Sequence, residues 1–170
     1  FYEMRQFRQG PSRAGEILFE GRRVPFGPGL LYEAESLPSL VVSAEICEDV
    51  WSPVPPSIQA SREGALVIVN CSASDETIGK ADYRRSLIEG QSARLICGYV
   101  YANAGEGEST TDLVFGGHNI IAENGTVLAE APRFQGGILT TEIDLERLIG
   151  ERRRNTTFQN AKERILPRIP

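Results

Sequence analysis

Two hydrophobic patterns alternate along this chain. Residues 40–47 (LVVSAEIC), 65–70 (ALVIVN) and 99–104 (YVYANA) are almost uninterrupted apolar runs of strand length, the pattern of strands buried on both faces. Between them lie two segments with helical spacing. Residues 54–63 (VPPSIQASRE) carry their prolines at the entry, where a helix tolerates them. Residues 80–96 (KADYRRSLIEGQSARLI) form the longest helix candidate, with Tyr83, Leu87, Ile88, Ala93, Leu95 and Ile96 on roughly one side. Upstream, residues 5–15 are polar and punctuated by Gly and Pro. A short strand, a turn at Glu20-Gly21 and two further strand-like pieces separated by PFGPG follow. Downstream, GGHNIIAENGTVLAEA reads as a hairpin turning at Asn124-Gly125, residues 137–143 as a last strand, and DLERLIGERRR as a short amphipathic helix. Strand, helix, strand, helix, strand and hairpin make an α/β pattern with a mixed sheet. The polar stretches EICEDVW and NCSASDE then fall at strand ends, where α/β folds carry their chemistry.

Cys47 stands where the first buried run gives way to a polar turn. A nucleophile there is held by the sheet yet exposed at its rim, and the backbone N–H groups that follow could receive an oxyanion. Its neighbours Glu45, Glu48 and Asp49 are all acidic, and negative charge beside a thiol disfavours the thiolate. Either Cys47 is inert core, or a cation and a base reach it from elsewhere. Cys71 and Cys97 read as packing residues. The single histidine, His118, sits at the start of a hairpin strand with no sign of facing Cys47, so a surface or hydrogen-bonding role is the better reading. TIGKA lacks both ends of the phosphate-loop pattern, because Ser74 stands in for the first Gly and Ala81 follows Lys80. GEGEST reads as a solvated loop, and Arg152-Arg153-Arg154 as the basic end of the last helix.

Composition narrows the classes further. A chain of 170 residues with 41% hydrophobic and 24% charged positions is long enough for one domain with a real core. A net charge of −5 argues against nucleic acid or an anionic membrane as partner. Three cysteines without regular spacing, and one histidine, make neither a disulfide framework nor a zinc site. No apolar run approaches the ~20 residues of a membrane span, there is no signal-peptide pattern, and reduced thiols point to the cytoplasm. The chain opens in mid-pattern at Phe1 and ends in NTTFQNAKERILPRIP, which reads as a linker and suggests a piece of a longer protein.

The blocks ICEDVW, NCSAS, IGKADYRR, YVYANAGEGESTTDLVFGGHN and ENGTVLAEA together resemble the nitrilase-type glutaminase domain of glutamine-dependent NAD synthetases, over nearly the whole chain. The resemblance implies a four-layer α-β-β-α sandwich of the nitrilase superfamily, here without its first strands and helices. It implies hydrolysis of non-peptide C–N bonds by a Glu-Lys-Cys triad through a cysteine thioester. Cys47 falls on the nucleophile. Glu48 supplies the next N–H and a side chain near the amino end of a glutamine substrate. Trp51 matches an aromatic wall, Ser74 and Lys80 match positions that hold the glutamine backbone, and Phe1 matches another pocket residue. The family has arginine where Lys80 stands, and lysine lacks the bidentate fork.

The same resemblance places the triad glutamate and lysine before Phe1, where they would answer the acidic flank of Cys47. It divides the chain into residues 1–150, the C-terminal part of the carbon–nitrogen hydrolase domain, and 151–170, the start of a linker to a synthetase domain. No cofactor is expected in this segment; ATP and magnesium belong to the synthetase domain, which also becomes a partner, together with glutamine and further copies in a homo-oligomer. Absent first strands would leave apolar sheet edges exposed. Two other readings stand beside this one: a free-standing amidase or carbamoylase, and an inactive binding module.

Overall fold

The computed structural model describes residues 6–108, 112–159 and 168–169. Its centre is a seven-stranded mixed sheet of order β8-β7-β6-β5-β4-β3-β9. The strands are β3 (Leu31–Ala34), β4 (Leu37–Ile46), β5 (Val67–Ser72), β6 (Gly98–Asn103), β7 (Ile120–Glu123), β8 (Thr126–Glu130) and β9 (Arg168–Ile169). The apolar runs β4, β5 and β6 lie side by side and parallel; β3 and β7 flank them antiparallel, and β8 pairs antiparallel with β7. A separate antiparallel ribbon of β1 (Gly15–Phe19) and β2 (Arg22–Phe26) turns at Glu20 and Gly21, both with positive φ. The α/β class with a mixed sheet is the one observed, and the described residues contribute one large sheet with its helical cover beside the two-stranded ribbon.

Helices α1 (Pro56–Arg62) and α2 (Lys80–Leu95) cross over between the parallel strands. They pack on the face that carries Ile68, Tyr99, Tyr101, Ile120 and Ala122, with Ile88 and Leu95 coming from α2. The buried side of α2 is more polar than hydrophobic spacing indicates. Arg84, Gln91 and Ser92 are buried there, while Tyr83 and Ala93, expected on the inner side, are exposed. Each of the three side chains makes hydrogen bonds, although Arg84 Nε is left without one: Gln91 donates to Ser57 Oγ at 2.9 Å, and Ser92 Oγ accepts the Gly125 N–H at 3.0 Å. Polar groups with partners are tolerated inside, so apolar periodicity placed Leu87, Ile88, Leu95 and Ile96 correctly but misjudged the two edges of the buried stripe.

The opposite face of the sheet is the second departure. Register puts Ala44, Ile46, Cys71 and Ala102 together on it, and all four are exposed, Ile46 at 69%. Cys71 is therefore not a packing residue. Residues 137–143 also form no ladder. Ile143 instead joins Leu66, Ile96 and Leu148 in a second cluster, and its Cδ1 lies 2.7 Å from where a Cβ on Gly98 would stand. Glycine at 98 makes room for it. The Glu123 carboxylate then takes the Asp144 N–H at 2.7 Å, which leads the chain directly into α3 (Leu145–Arg154), capped by Asp144. A one-turn helix α4 (Thr156–Gln159) follows.

Arg152 is the unexpected member of the basic triplet. It is buried, and its guanidinium donates to the carbonyls of Ser61, Ala65, Leu95 and Ile96 at 3.3, 2.7, 2.9 and 2.9 Å. Those carbonyls end α1 and α2 or precede β5, so one side chain ties α3 to the base of the sheet. Burial pushes its pKa down to about 10, which leaves it charged at neutral pH.

Candidate active site

β4 stops at Ile46, and the chain turns into a 3-10 helix over Cys47–Trp51. Cys47 has φ of +51°, a left-handed conformation that costs a non-glycine residue about 1–2 kcal/mol and tends to persist at functional sites. Two side chains hold it. Asp49 reaches back to accept the Ile46 N–H at 2.8 Å. Asn70, in β5, pairs with both backbone groups of Cys47: its Oδ1 accepts the N–H at 3.1 Å, and its Nδ2 donates to the carbonyl at 3.3 Å. The Asn70 amide also donates to the Tyr99 hydroxyl at 3.3 Å. That hydroxyl bonds the buried Glu45 carboxylate, whose second oxygen accepts the Ser57 N–H at 2.9 Å. Burial, then the neighbouring Glu45 charge, raises the Tyr99 pKa; the phenol stays protonated and remains a donor. Glu45 is thus directed into the helix-covered face, where Tyr99 and Ser57 hold its carboxylate.

Beside Cys47 opens a cavity of about 150 Å³ lined by Cys47, Glu48, Trp51, Ala73, Ser74, Asp75 and Lys80. Five positions singled out in the sequence therefore surround one space, while Phe1 lies outside the described residues. Ser74 is fixed much as Cys47 is. Its N–H donates to Asn103 Oδ1 at 2.8 Å, and Asn103 Nδ2 returns to its carbonyl at 3.1 Å. The Lys80 ammonium is paired with Asp75 and lies 5.7 Å from the Trp51 ring centroid, a cation–π distance. Tyr83 packs against the same indole, tilted by 59°, at 5.1 Å between centroids. A larger cavity of about 280 Å³ lies between the start of β4, the end of α1 and α3, and its lining contains no cysteine, histidine or carboxylate.

Behind Ser74 is a buried charge network that no sequence pattern announced. Arg84 donates to Glu76 at 2.6 Å, to Ser74 Oγ at 3.2 Å, to the Asp75 carbonyl at 3.2 Å and to His118 Nδ1 at 3.0 Å. Because arginine can only donate, Nδ1 accepts, and Nε2–H is left to donate to Glu130 at 2.7 Å. Burial works against the Glu130 charge, but the hydrogen bonds from His118 and Arg85 outweigh it and hold this carboxyl below its usual range. His118 has a hydrogen-bonding role, inside the protein and not on its surface. Cys97 is fully buried, and desolvation pushes its thiol up to about 12.

The chain matches the family model for carbon-nitrogen hydrolases over residues 7–153 and belongs to that family. It is 48% identical over 162 residues to the glutamine-dependent NAD(+) synthetase of Mycobacterium bovis, covering 94% of this chain and 24% of the relative. The corresponding Mycobacterium leprae enzyme is 48% identical over 166 residues, covering 96% of this chain and 24% of that one. Among solved structures, a glutamine-dependent NAD(+) synthetase from Cytophaga hutchinsonii superposes with a TM-score of 0.67 at 29% identity, over 82% of this chain and 22% of the other. The chain thus spans about a quarter of the length of these relatives.

Proposed function

We propose that this chain carries the nucleophile and part of the substrate pocket of a glutamine-hydrolysing amidotransferase, and that the ammonia released serves ATP-dependent amidation of deamido-NAD to NAD in the full-length protein. The observation that carries the reading is the strained Cys47 at the mouth of a cavity that also holds Glu48, Trp51, Ser74 and Lys80. The relatives named above add the substrate. Cys47 Sγ attacks the side-chain carbonyl of glutamine, and the N–H groups that follow it stabilise the oxyanion. The C–N bond then breaks, the nitrogen leaves as ammonia after receiving a proton, and a glutamyl thioester remains. Water adds to that thioester, releasing glutamate and restoring the thiol.

A general acid–base and a cation must accompany this nucleophile. Among the described residues around Cys47, Lys80 is occupied by Asp75, and Glu45 is held by Tyr99 and Ser57. A glutamate and a lysine from another part of the full-length protein complete the triad in this proposal. Glu48 and Ser74 meet the amino-acid end of glutamine, and Trp51 walls its methylene chain. Lys80, with Asp75 beside it, offers a charge pair to the zwitterionic end in place of a simple carboxylate clamp. Residues 151–170 lead toward the synthetase domain.

The test is Cys47→Ala in the full-length protein. Glutamine-driven NAD formation is expected to vanish while ammonia-driven formation continues at the unaltered rate. Persistence of glutamine hydrolysis would remove Cys47 as the nucleophile, and loss of both activities in a folded protein would contradict the division of labour. A preference for small amides other than glutamine would favour the stand-alone amidase reading.

A further inference from the structure

Two site residues share one mode of support. Asn70 receives the N–H of Cys47 and donates to its carbonyl; Asn103 receives the N–H of Ser74 and donates to its carbonyl. An amide side chain that meets both backbone groups of a residue does what a paired strand would do, at places where the ladder has ended. The two asparagines stand toward the carboxyl ends of adjacent parallel strands. Asn70 is opposite Tyr101 and Asn103 opposite Ser72 in the β5–β6 register. Each is locked in turn: Asn70 by Tyr99 and by the Ser72 hydroxyl, which donates to its Oδ1 at 2.7 Å, and Asn103 by Asn119, whose Oδ1 accepts the Asn103 N–H at 2.8 Å.

We infer that Asn70 and Asn103 are positioning residues with separate duties, Asn70 setting the nucleophile and Asn103 setting the substrate-binding wall. The inference rests on the glutaminase reading of the site. The left-handed φ of Cys47 is the conformation its own backbone would leave first if unsupported, because no glycine is there to adopt it freely. Asn70 therefore governs where Sγ stands relative to the carbonyl it attacks. Ser74 has no such strain, and its neighbours are substrate contacts; Asn103 governs how well the substrate is held. Reaction rate is sensitive to displacement of the attacking atom, whereas loosening a wall that binds ground state and transition state alike appears in KM.

The experiment compares Cys47→Ala, Asn70→Ala and Asn103→Ala in the full-length protein, with kcat and KM for glutamine read separately and ammonia-driven NAD formation read as the control for folding. Asn70→Ala is expected to lower kcat at least about tenfold with KM within about twofold. Asn103→Ala is expected to raise KM about tenfold with kcat within about threefold. Should an alanine variant not fold, Asn70→Asp and Asn103→Asp replace them; each keeps the shape and the acceptor for the N–H but has no donor for the carbonyl. Equal effects of the two asparagine variants on kcat and KM, or a folded Asn70 variant with unaltered kcat, would overturn the inference. If Cys47→Ala still hydrolyses glutamine, the glutaminase reading fails instead, and the two failures are told apart by that arm.

Discussion

The three cysteines carry one side chain into three surroundings, and their chemistry should diverge accordingly. Cys71 is exposed on the open face of the sheet, Cys47 is half-buried at the cavity, and Cys97 is enclosed. Alkylation of the folded chain with iodoacetamide near neutral pH, followed by intact-mass measurement, is expected to add label to Cys47 and Cys71 and none to Cys97. Labelling of Cys97 without denaturant would show that the core beneath α1 and α2 opens. Desolvation sets the sign of a second effect at Cys97. Its thiol ionises near 12 in the folded protein against an ordinary 9.0, so the unfolded chain loses its proton first as pH rises. The stability that the neutral thiol contributes is complete below pH 9 and is lost between 9 and 12, at up to about 1.4 kcal/mol per pH unit. Urea midpoints of the wild type relative to Cys97→Ala should therefore fall across that range; parallel curves would contradict the burial. Cys47 was legible in the sequence because its signal is local, a strand that ends in a thiol and a polar turn. Asn70 and Asn103 were not, since a polar residue at the end of an apolar run reads as an ordinary strand terminus. The repetition of that ending in VIVN and YVYAN was the one available clue.

Hairpins and helix ends carry the next set of consequences. The β7–β8 turn has Asn124 at φ of +43° and Gly125 at +84°, the arrangement that makes Asn-Gly such a strong hairpin signal. A Cβ at position 125 would also stand 3.0 Å from the Ala93 Cβ of α2. Gly125→Ala is expected to cost about 1–2 kcal/mol in urea unfolding through backbone strain and that close approach; a neutral effect would mean that the turn relaxes. Arg152 and Arg154 give a sharper contrast within one helix. Arg152→Met leaves four carbonyls of α1, α2 and the start of β5 without their donor and should destabilise by about 3 kcal/mol. Arg154→Met removes an exposed pair with Glu151 and should cost below about 0.5 kcal/mol. Equal midpoints for the two variants would deny Arg152 its anchoring role. In the sequence the triplet is uniform, so charge and helix position could not single out the buried member. Likewise, the strand pattern at 137–143 was sound as local propensity, and the space above Gly98 overrode it.

At the scale of the molecule, the asymmetry of the sheet dominates. One face is sealed by α1 and α2, while the other exposes Ile46, Ala44, Cys71 and Ala102 toward the carboxyl ends of the central strands. The 170-residue chain produced alone is expected to bind a hydrophobic dye such as ANS and to self-associate with rising concentration in sedimentation experiments. A monodisperse monomer without dye binding would show that the open face is closed in solution. No helix among the described residues is long and apolar enough to cross a membrane.

Hydrophobic order along the chain was sufficient to determine the α/β class, the three parallel strands, the two crossover helices and the hairpin, because those features follow from the length of apolar runs, helical spacing and turn residues, which need no distant partner. It also placed Cys47 and Ser74 at strand ends. Tertiary structure alone decided which groups those residues lean on: Asn70 for Cys47, Asn103 and Arg84 for Ser74, Asp75 for Lys80. It likewise turned Arg152 inward and Cys71 outward. These outcomes depend on contacts between residues as far as 91 positions apart, such as Arg152 and Ser61, and on whether each buried polar atom finds its partner. Neither quantity is written in any local window of the sequence.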